Sequence, residues 1–176
     1  MSGKVIGQRF NNGFAGSYAR LPEMHIYTKP NTGDASIPFG APVMQGGIGV
    51  KAVDGTLTAE TFVGIAARQI QSATDYLNQN GAGEYVKNAA VPVLQAGRIN
   101  VFVANGSPAL YGKVYVRTKA EGTHKVGDFE CAPATLTDGG AAATVELTNC
   151  KWGGTKDANG VAELCEIGRA SCRERV

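Results

Sequence analysis

Hydrophobic and polar residues alternate most regularly over residues 91–117, where the pattern predicts three short strands joined by tight turns. Successive side chains of a strand point to opposite faces, so every second residue shares one face. The apolar positions that share a face are Ile99, Val101, Val103, Val114 and Val116. Asn105-Gly106 is a favoured turn sequence between two of these strands. The run holds no residues arranged for catalysis, which indicates a structural core.

Further short apolar runs surround this core and are separated by glycine-rich or polar turns. The runs are 37–44, which two prolines mark as an edge strand, then 46–53, 61–67, 142–148 and 161–165. Asp54-Gly55 is a second strong turn signal, and residues 72–80 fit either one or two helical turns or a loop. The spacing predicts a mainly β fold, a small β-barrel or β-sandwich, over residues 37–165.

Residues 1–36 differ from this body, because neither a two-residue nor a 3.6-residue period persists in them. They contain scattered aromatic residues and a net charge of +2. The composition predicts an extended, irregular N-terminal arm that docks on another surface. The alternative is that the arm packs back on its own barrel and seals it. We expect deletion of residues 1–30 to leave a folded β-domain if the first interpretation holds.

Composition narrows the class of protein further. The chain of 176 residues fits one domain, and its 24 glycines with only 18% charged residues favour strands and turns over long helices. No apolar run approaches the roughly 18 residues of a membrane-spanning helix. The first residues lack the apolar segment of a signal peptide. We therefore expect neither a membrane nor a secretory location.

The segment 166–176, EIGRASCRERV, resembles a translated sequencing adapter. The alternative is an ordinary basic tail. Residues 167–176 carry three arginines and one glutamate, which equal the formal net charge of +2 of the whole chain. Without them the chain is neutral, so its charge predicts no nucleic-acid partner. We expect this artefactual tail to be dispensable, and the natural C-terminus to give a more stable protein.

Candidate catalytic and ligand sites each have a simpler structural interpretation. Gly46-Gly-Ile-Gly-Val50 lacks the full dinucleotide motif and reads as a turn between strands. His25 and His124 have no neighbouring metal-ligand types, which favours surface histidines. Cys131, Cys150 and Cys165 form no paired motif and are expected to be reduced structural thiols. The sequence therefore predicts no enzyme activity, no cofactor and no metal. Trp152 fits a core residue better than an interface anchor.

Two groups of segments resemble the structural cement proteins of tailed phages. IPFGAPV at residues 37–43 and FVGIAAR at 62–68 resemble the front half of that family. VPVLQAGRINVFV at 91–103, GKVYVR at 112–117 and CKWGGTKDANGVAEL at 150–164 resemble its back half. The order and spacing agree over residues 10–165, and the last segment is the most specific. The sequence departs from the family at Glu166, where the adapter-like text begins.

The resemblance implies a capsid decoration protein that binds the outer surface of a tailed-phage capsid and clamps neighbouring major capsid subunits. The alternative is another particle component, such as a head-fibre base or a tail-associated β-module. We expect the major capsid protein as partner, a homo-oligomer such as a trimer, and a location on the virion after assembly in the host cytoplasm. The arm supplies the candidate capsid contacts Arg9, Phe10, Phe14, Tyr18 and Arg20, since aromatic residues and arginine are common interface anchors.

Overall fold

The computed structural model describes residues 11–70, 83–137 and 140–166, and these form eleven β-strands and no helix. The first six strands are β1 (Tyr18–Pro30), β2 (Ile37–Pro38), β3 (Pro42–Gly46), β4 (Gly49–Ala52), β5 (Phe62–Ala66) and β6 (Glu84–Tyr85). The other five are β7 (Ala90–Asn105), β8 (Lys113–Arg117), β9 (Phe129–Glu130), β10 (Thr144–Trp152) and β11 (Val161–Glu166).

The second half of β7 belongs to a closed five-stranded barrel. β7 pairs with β11, β11 with β10, β10 with β8, β8 with β9, and β9 returns to β7. Closure removes the free edges that a flat sheet would present to other chains. The barrel interior holds the predicted apolar face of β7 and β8, together with Trp152, whose ring meets Phe129 edge-on at 6.4 Å.

The first half of β7 organises a second group of strands. β1 pairs antiparallel along one edge of it, while β5 pairs along the other edge and leads on to β3 and β4. A single bridge from Asn31 to Val50 brings the chain after β1 back to β4. The short β2–β6 pair lies with a second apolar cluster that contains Ile37, Phe39 and Tyr85. The long strand β7 therefore joins two cores into one body.

β5 can approach β7 closely because it contains a glycine. A Cβ atom at Gly64 would lie 2.1 Å from the carbonyl oxygen of Leu94, far inside any real contact. Gly97 lies in β7 itself with a φ of 124°, a conformation that favours glycine. Gly97 lies where β7 begins to pair with β11 of the barrel, after its pairs with β5. The same strand therefore belongs to both groups.

The mainly β fold with a barrel is confirmed, and so is the inward face of the central run, whose members are all buried. Trp152 is also confirmed as a core residue, since it is 1% exposed. The prediction of three strands over residues 91–117 was wrong. Residues 90–105 form one strand, which continues through Gly97 and the polar residues beside it instead of ending there.

The predicted irregularity of residues 1–36 was also wrong for residues 18–30, which form β1. Their period is hidden because the register against β7 shifts three times between Tyr18 and Ile26, so that no regular alternation survives. Residues 72–80 and 167–176 lie outside the described residues. Glu166, the first residue of the adapter-like segment, ends β11 opposite Gly97 and Cys150.

The turn after β4 carries a carboxylate whose ionisation stabilises it. Asp54 accepts hydrogen bonds from the Lys51 ammonium at 2.6 Å and from the backbone and hydroxyl of Thr56 at 2.8 and 2.6 Å. These contacts, the Lys51 hydrogen bond first, lower the pKa of Asp54 from 3.8 to about 2. A lowered pKa stabilises the folded state above the unfolded value and loses that contribution as pH falls toward the folded value.

We expect Asp54→Asn to lower the free energy of unfolding at pH 7 by at most about 1 kcal/mol, since the group is close to solvent. The difference from the unchanged protein should shrink between pH 4 and pH 2, where the carboxylate of Asp54 becomes protonated. Urea denaturation at pH 7, 4, 3 and 2 measures this. A difference that stays constant over that range would contradict the assignment.

Candidate interaction surface

Of the predicted capsid contacts, Arg9 and Phe10 lie outside the described residues, and the other three begin the described chain. Phe14 is half-buried against its own body, with the Arg68 guanidinium carbon 4.3 Å from its ring centroid. Such stacking is a favourable cation–π contact. Tyr18 is 40% exposed, and partial burial raises the pKa of its hydroxyl. Tyr18 and Arg20 are therefore the described members that remain accessible to a partner.

Residues 11–17 are held on the barrel by hydrogen bonds to distant parts of the chain. The Asn12 side chain donates to the Val161 carbonyl at 2.7 Å, and its backbone donates to the Asp157 carboxylate at 2.9 Å. The Gly16 amide donates to the Asn100 carbonyl at 2.7 Å. These contacts support the alternative in which this part of the arm packs back on its own barrel.

Arg20 lies in an ion cluster that joins three strands. Its Nε is 3.1 Å from one oxygen of Glu163 in β11, and Arg98 Nη1 in β7 is 2.5 Å from the other. The Glu163 carboxylate raises the pKa of Arg98. The Glu163 side chain is only 13% exposed, whereas those of Arg20 and Arg98 are 66% and 36% exposed. The cluster therefore presents positive charge to solvent.

The strand register extends this positive charge across the barrel wall. Residues paired across antiparallel strands point to the same face. Arg20 pairs with Arg98, Arg98 with Cys165, Cys165 with Lys151, and Lys151 with Lys113. The strands follow in the order β1, β7, β11, β10 and β8, so the row spans about 20 Å at ~4.8 Å per strand. We call Arg20, Arg98, Lys151 and Lys113 the basic row.

A turn beside the basic row holds two exposed apolar side chains. Leu110 and Tyr111 are 59% and 73% exposed in the connection from β7 to β8. The turn is fixed, because the Tyr111 amide donates to the Trp152 carbonyl at 2.8 Å and the Trp152 amide donates to the Gly112 carbonyl at 3.1 Å. Tyr111 has a φ of 62°, which is uncommon for a non-glycine residue and costs free energy.

A shallow hollow of about 340 Å³ opens elsewhere on the barrel, over the outer side of β7. It is lined by Phe102, Ala104, Thr123, His124, Lys125 and Asp128. Asp128 already accepts a hydrogen bond from the Lys125 amide at 2.7 Å, and His124 Nδ1 lies 3.6 Å from Glu130. Since its polar groups contact one another, the hollow shows no arrangement directed at a ligand.

The structure also locates the groups that were considered for chemistry. Across residues 11–70, 83–137 and 140–166, no three His, Cys, Asp or Glu residues are placed to hold a metal ion. Cys131, Cys150 and Cys165 are free thiols, and burial raises the pKa of Cys131. A higher pKa leaves less reactive thiolate at neutral pH. The described part of the chain contains no helix that is long and apolar enough to cross a membrane.

Sequence reasoning identified Arg20 but missed the other members of the basic row. Arg98, Lys113 and Lys151 are separated by 15 and 38 residues along the chain, so no local motif joins them. Only the strand pairing places them side by side. The alternation of β7 and β8 did indicate that Arg98 and Lys113 point outward, which is the one signal available in the sequence.

Residues 3–165 match the model of the structural cement protein family, whose description names the phage proteins E217 gp24 and Pam3 gp6. The chain belongs to this family. It is a capsid-stabilising cement protein and a component of the virion. The match ends one residue before the adapter-like segment.

The cement protein also resembles a solved chain from the capsid of Myoviridae phage XM1. The two are 17% identical, with a TM-score of 0.64, and the alignment covers 96% of this chain and 99% of the other. At this identity the likeness shows that the fold is shared. None of the curated proteins compared with the chain matches it.

Proposed function

We propose that this cement protein binds the outer surface of a tailed-phage capsid and stabilises the contacts between neighbouring major capsid subunits. The observation that carries the proposal is the family match over residues 3–165, which includes both groups of strands and the barrel. The hydrogen-bonded sheet that joins both groups of strands supports the proposal, since a protein that bridges two capsid subunits must itself be rigid.

Binding to the capsid is sufficient to stabilise it, through mass action. A protein that binds the assembled shell, and not the separated subunits, shifts the equilibrium toward assembly by an amount that grows with its concentration over its Kd. No reaction is needed for this effect. The family is a structural one, which supports the prediction that the protein is not an enzyme.

We further propose a homo-oligomer on the capsid, with a trimer as the form to test first, assembled in the host cytoplasm. The support is a set of large apolar side chains that the first group of strands and its connections leave exposed. These are Ile48 at 89%, Ile70 at 71% and Val86 at 60%. Exposed apolar surface of this kind is commonly covered by a partner. Light scattering of the purified protein measures the number of copies.

The direct test adds purified cement protein to bare expanded capsids of the phage that encodes it. We expect saturable binding in a fixed ratio to the capsid subunits and a higher temperature of capsid disruption. Capsids of an unrelated phage are the control. Absence of binding to the cognate capsid would contradict the proposal, and density on the tail in cryo-electron microscopy of virions would favour the tail-associated alternative.

The arm contacts remain part of this proposal. Tyr18 and Arg20 are exposed, and Arg9 and Phe10 precede the described residues, so these four are proposed to meet the capsid together with Phe14. The stacking of Phe14 on Arg68 supports a second role for that ring, in holding the arm on the barrel.

A further inference from the structure

We propose that the basic row docks on an acidic strip of the major capsid protein, with Leu110 and Tyr111 filling an apolar recess beside that strip. The inference rests on the proposed capsid binding and adds the chemistry of the partner surface. It follows from the charges of the row, their exposure and the fixed turn next to them.

The first step concerns the local charge. Among the described side chains that touch the row, Glu163 and Glu146 are the acids, and they face four cations. The row therefore carries an excess of two positive charges. Residues 11–166, which include the whole row, carry a net charge of −2, so the remainder of that range carries −4. Positive charge is thus concentrated on one wall of a body that is otherwise acidic.

The second step concerns which charges a partner would meet. Each acid is less exposed than the cation it binds, since Glu163 is 13% exposed and Glu146 is 30% exposed, against 60% for Lys113. Within the described part of the chain, Lys151 makes no ion pair. Acidic groups of a partner would therefore contact guanidinium and ammonium groups first, which favours fast and specific docking.

The third step concerns the apolar side chains at the end of the row. The turn with Leu110 and Tyr111 is bonded to Trp152, the residue after Lys151, and leads directly into Lys113. Its rigidity means that little side-chain and backbone entropy is lost on binding. An exposed tyrosine on a fixed turn is a frequent centre of binding energy in protein interfaces. The partner surface should therefore combine carboxylates with an apolar recess.

Two other occupants fit these observations less well. A second copy in a twofold contact would place one basic row against another, and like charges oppose such a contact. Duplex DNA carries about one charge per 1.7 Å, which calls for many more cations than an excess of two over about 20 Å. An acidic protein surface matches both the sign and the small number of the charges.

The test compares Lys151→Glu with a matched control, Lys119→Glu. Both lysines change by the same charge, and Lys119 lies beyond the other end of β8 from Lys113, roughly 20 Å away at ~3.3 Å per residue. Since Lys151 is unpaired within the described residues, its replacement should leave the melting temperature almost unchanged. Binding to bare expanded capsids is measured for each variant at 50 and 300 mM NaCl.

We expect Lys151→Glu to weaken binding at 50 mM NaCl by about tenfold, with a smaller loss at 300 mM, and Lys119→Glu to bind as the unchanged protein does. Tyr111→Ala should weaken binding at both salt concentrations. Equal binding by all variants would overturn the assignment of this face and leave the proposed function standing. Failure of the unchanged protein to bind capsids would overturn both.

Two further outcomes would assign the face to another occupant and overturn the inference. The first is Lys151→Glu changing the oligomeric state in light scattering while capsid binding is kept. The second is a 30-base-pair duplex DNA bound by the unchanged protein and not by Lys151→Glu, again with capsid binding kept.

Discussion

Replacing Glu130 by glutamine is expected to lower the free energy of unfolding by about 3–5 kcal/mol, because the buried Arg117 guanidinium loses its near acidic partner and keeps only Glu121 at 3.9 Å. Arg117 Nε donates to Glu130 Oε1 at 2.6 Å, and the two side chains are 4% and 2% exposed. Glu130 is half of β9, the two-residue strand that closes the barrel between β7 and β8. The ion pair therefore holds the shortest strand of the closed ring.

Urea denaturation measures this effect, with Glu146→Gln as the matched control. Glu146 also pairs with a cation, Lys113, at 3.0 Å, but both side chains are largely or partly exposed. Its loss should cost no more than about 1 kcal/mol. Equal effects of the two changes would contradict the buried role of Glu130. Combining Glu130→Leu with Arg117→Met should recover much of the lost stability, since it removes both buried charges.

Deletion of residues 1–30 is expected to abolish the cooperative unfolding transition of the protein. The deletion removes β1, whose ladder covers β7 from Ala90 to Ile99. It also removes Met24 and Ile26, which are partly buried against the main core, where full burial of such a side chain stabilises by roughly 1.5–3 kcal/mol. A domain is stable by only about 5–15 kcal/mol in total.

Differential scanning calorimetry of this variant and of one lacking residues 1–10 tests the expectation. The shorter deletion leaves every described contact of the body in place and should keep a cooperative transition. If the variant without residues 1–30 also unfolds cooperatively, β1 is an accessory to a body that folds alone, as the irregular pattern of residues 1–36 first indicated. The shorter deletion also tests Arg9 and Phe10 in capsid binding.

The inward face of the barrel could be predicted from the sequence because alternation is a local property. Ile99, Val101 and Val103 are β-branched apolar residues at every second position. In a strand, residues two positions apart point to the same face, so this spacing alone predicts one apolar face. Trp152 was predicted from an equally local signal, since a lone tryptophan before two glycines commonly covers the end of a small core. These predictions need no knowledge of which strands pair.

The role of residues 18–30 could not be predicted in the same way. The three register shifts in β1 remove the regular period, so the segment resembles an irregular arm until its partner β7 is known. The burial of Arg117 and Glu130 was equally hidden. Alternation places Arg117 on the outward face of β8, and only the folded chain buries it there against β9.

The sequence by itself determined the fold class, the core face of β7 and β8 and the family. All of these depend on residue order within short segments. The tertiary structure decided the closure of the barrel, the pairing of β1 with β7 and the basic row, because each joins residues tens of positions apart. Strand pairing depends on backbone hydrogen bonds that every residue type except proline can both donate and accept, so residue identity alone carries little information about which strands meet.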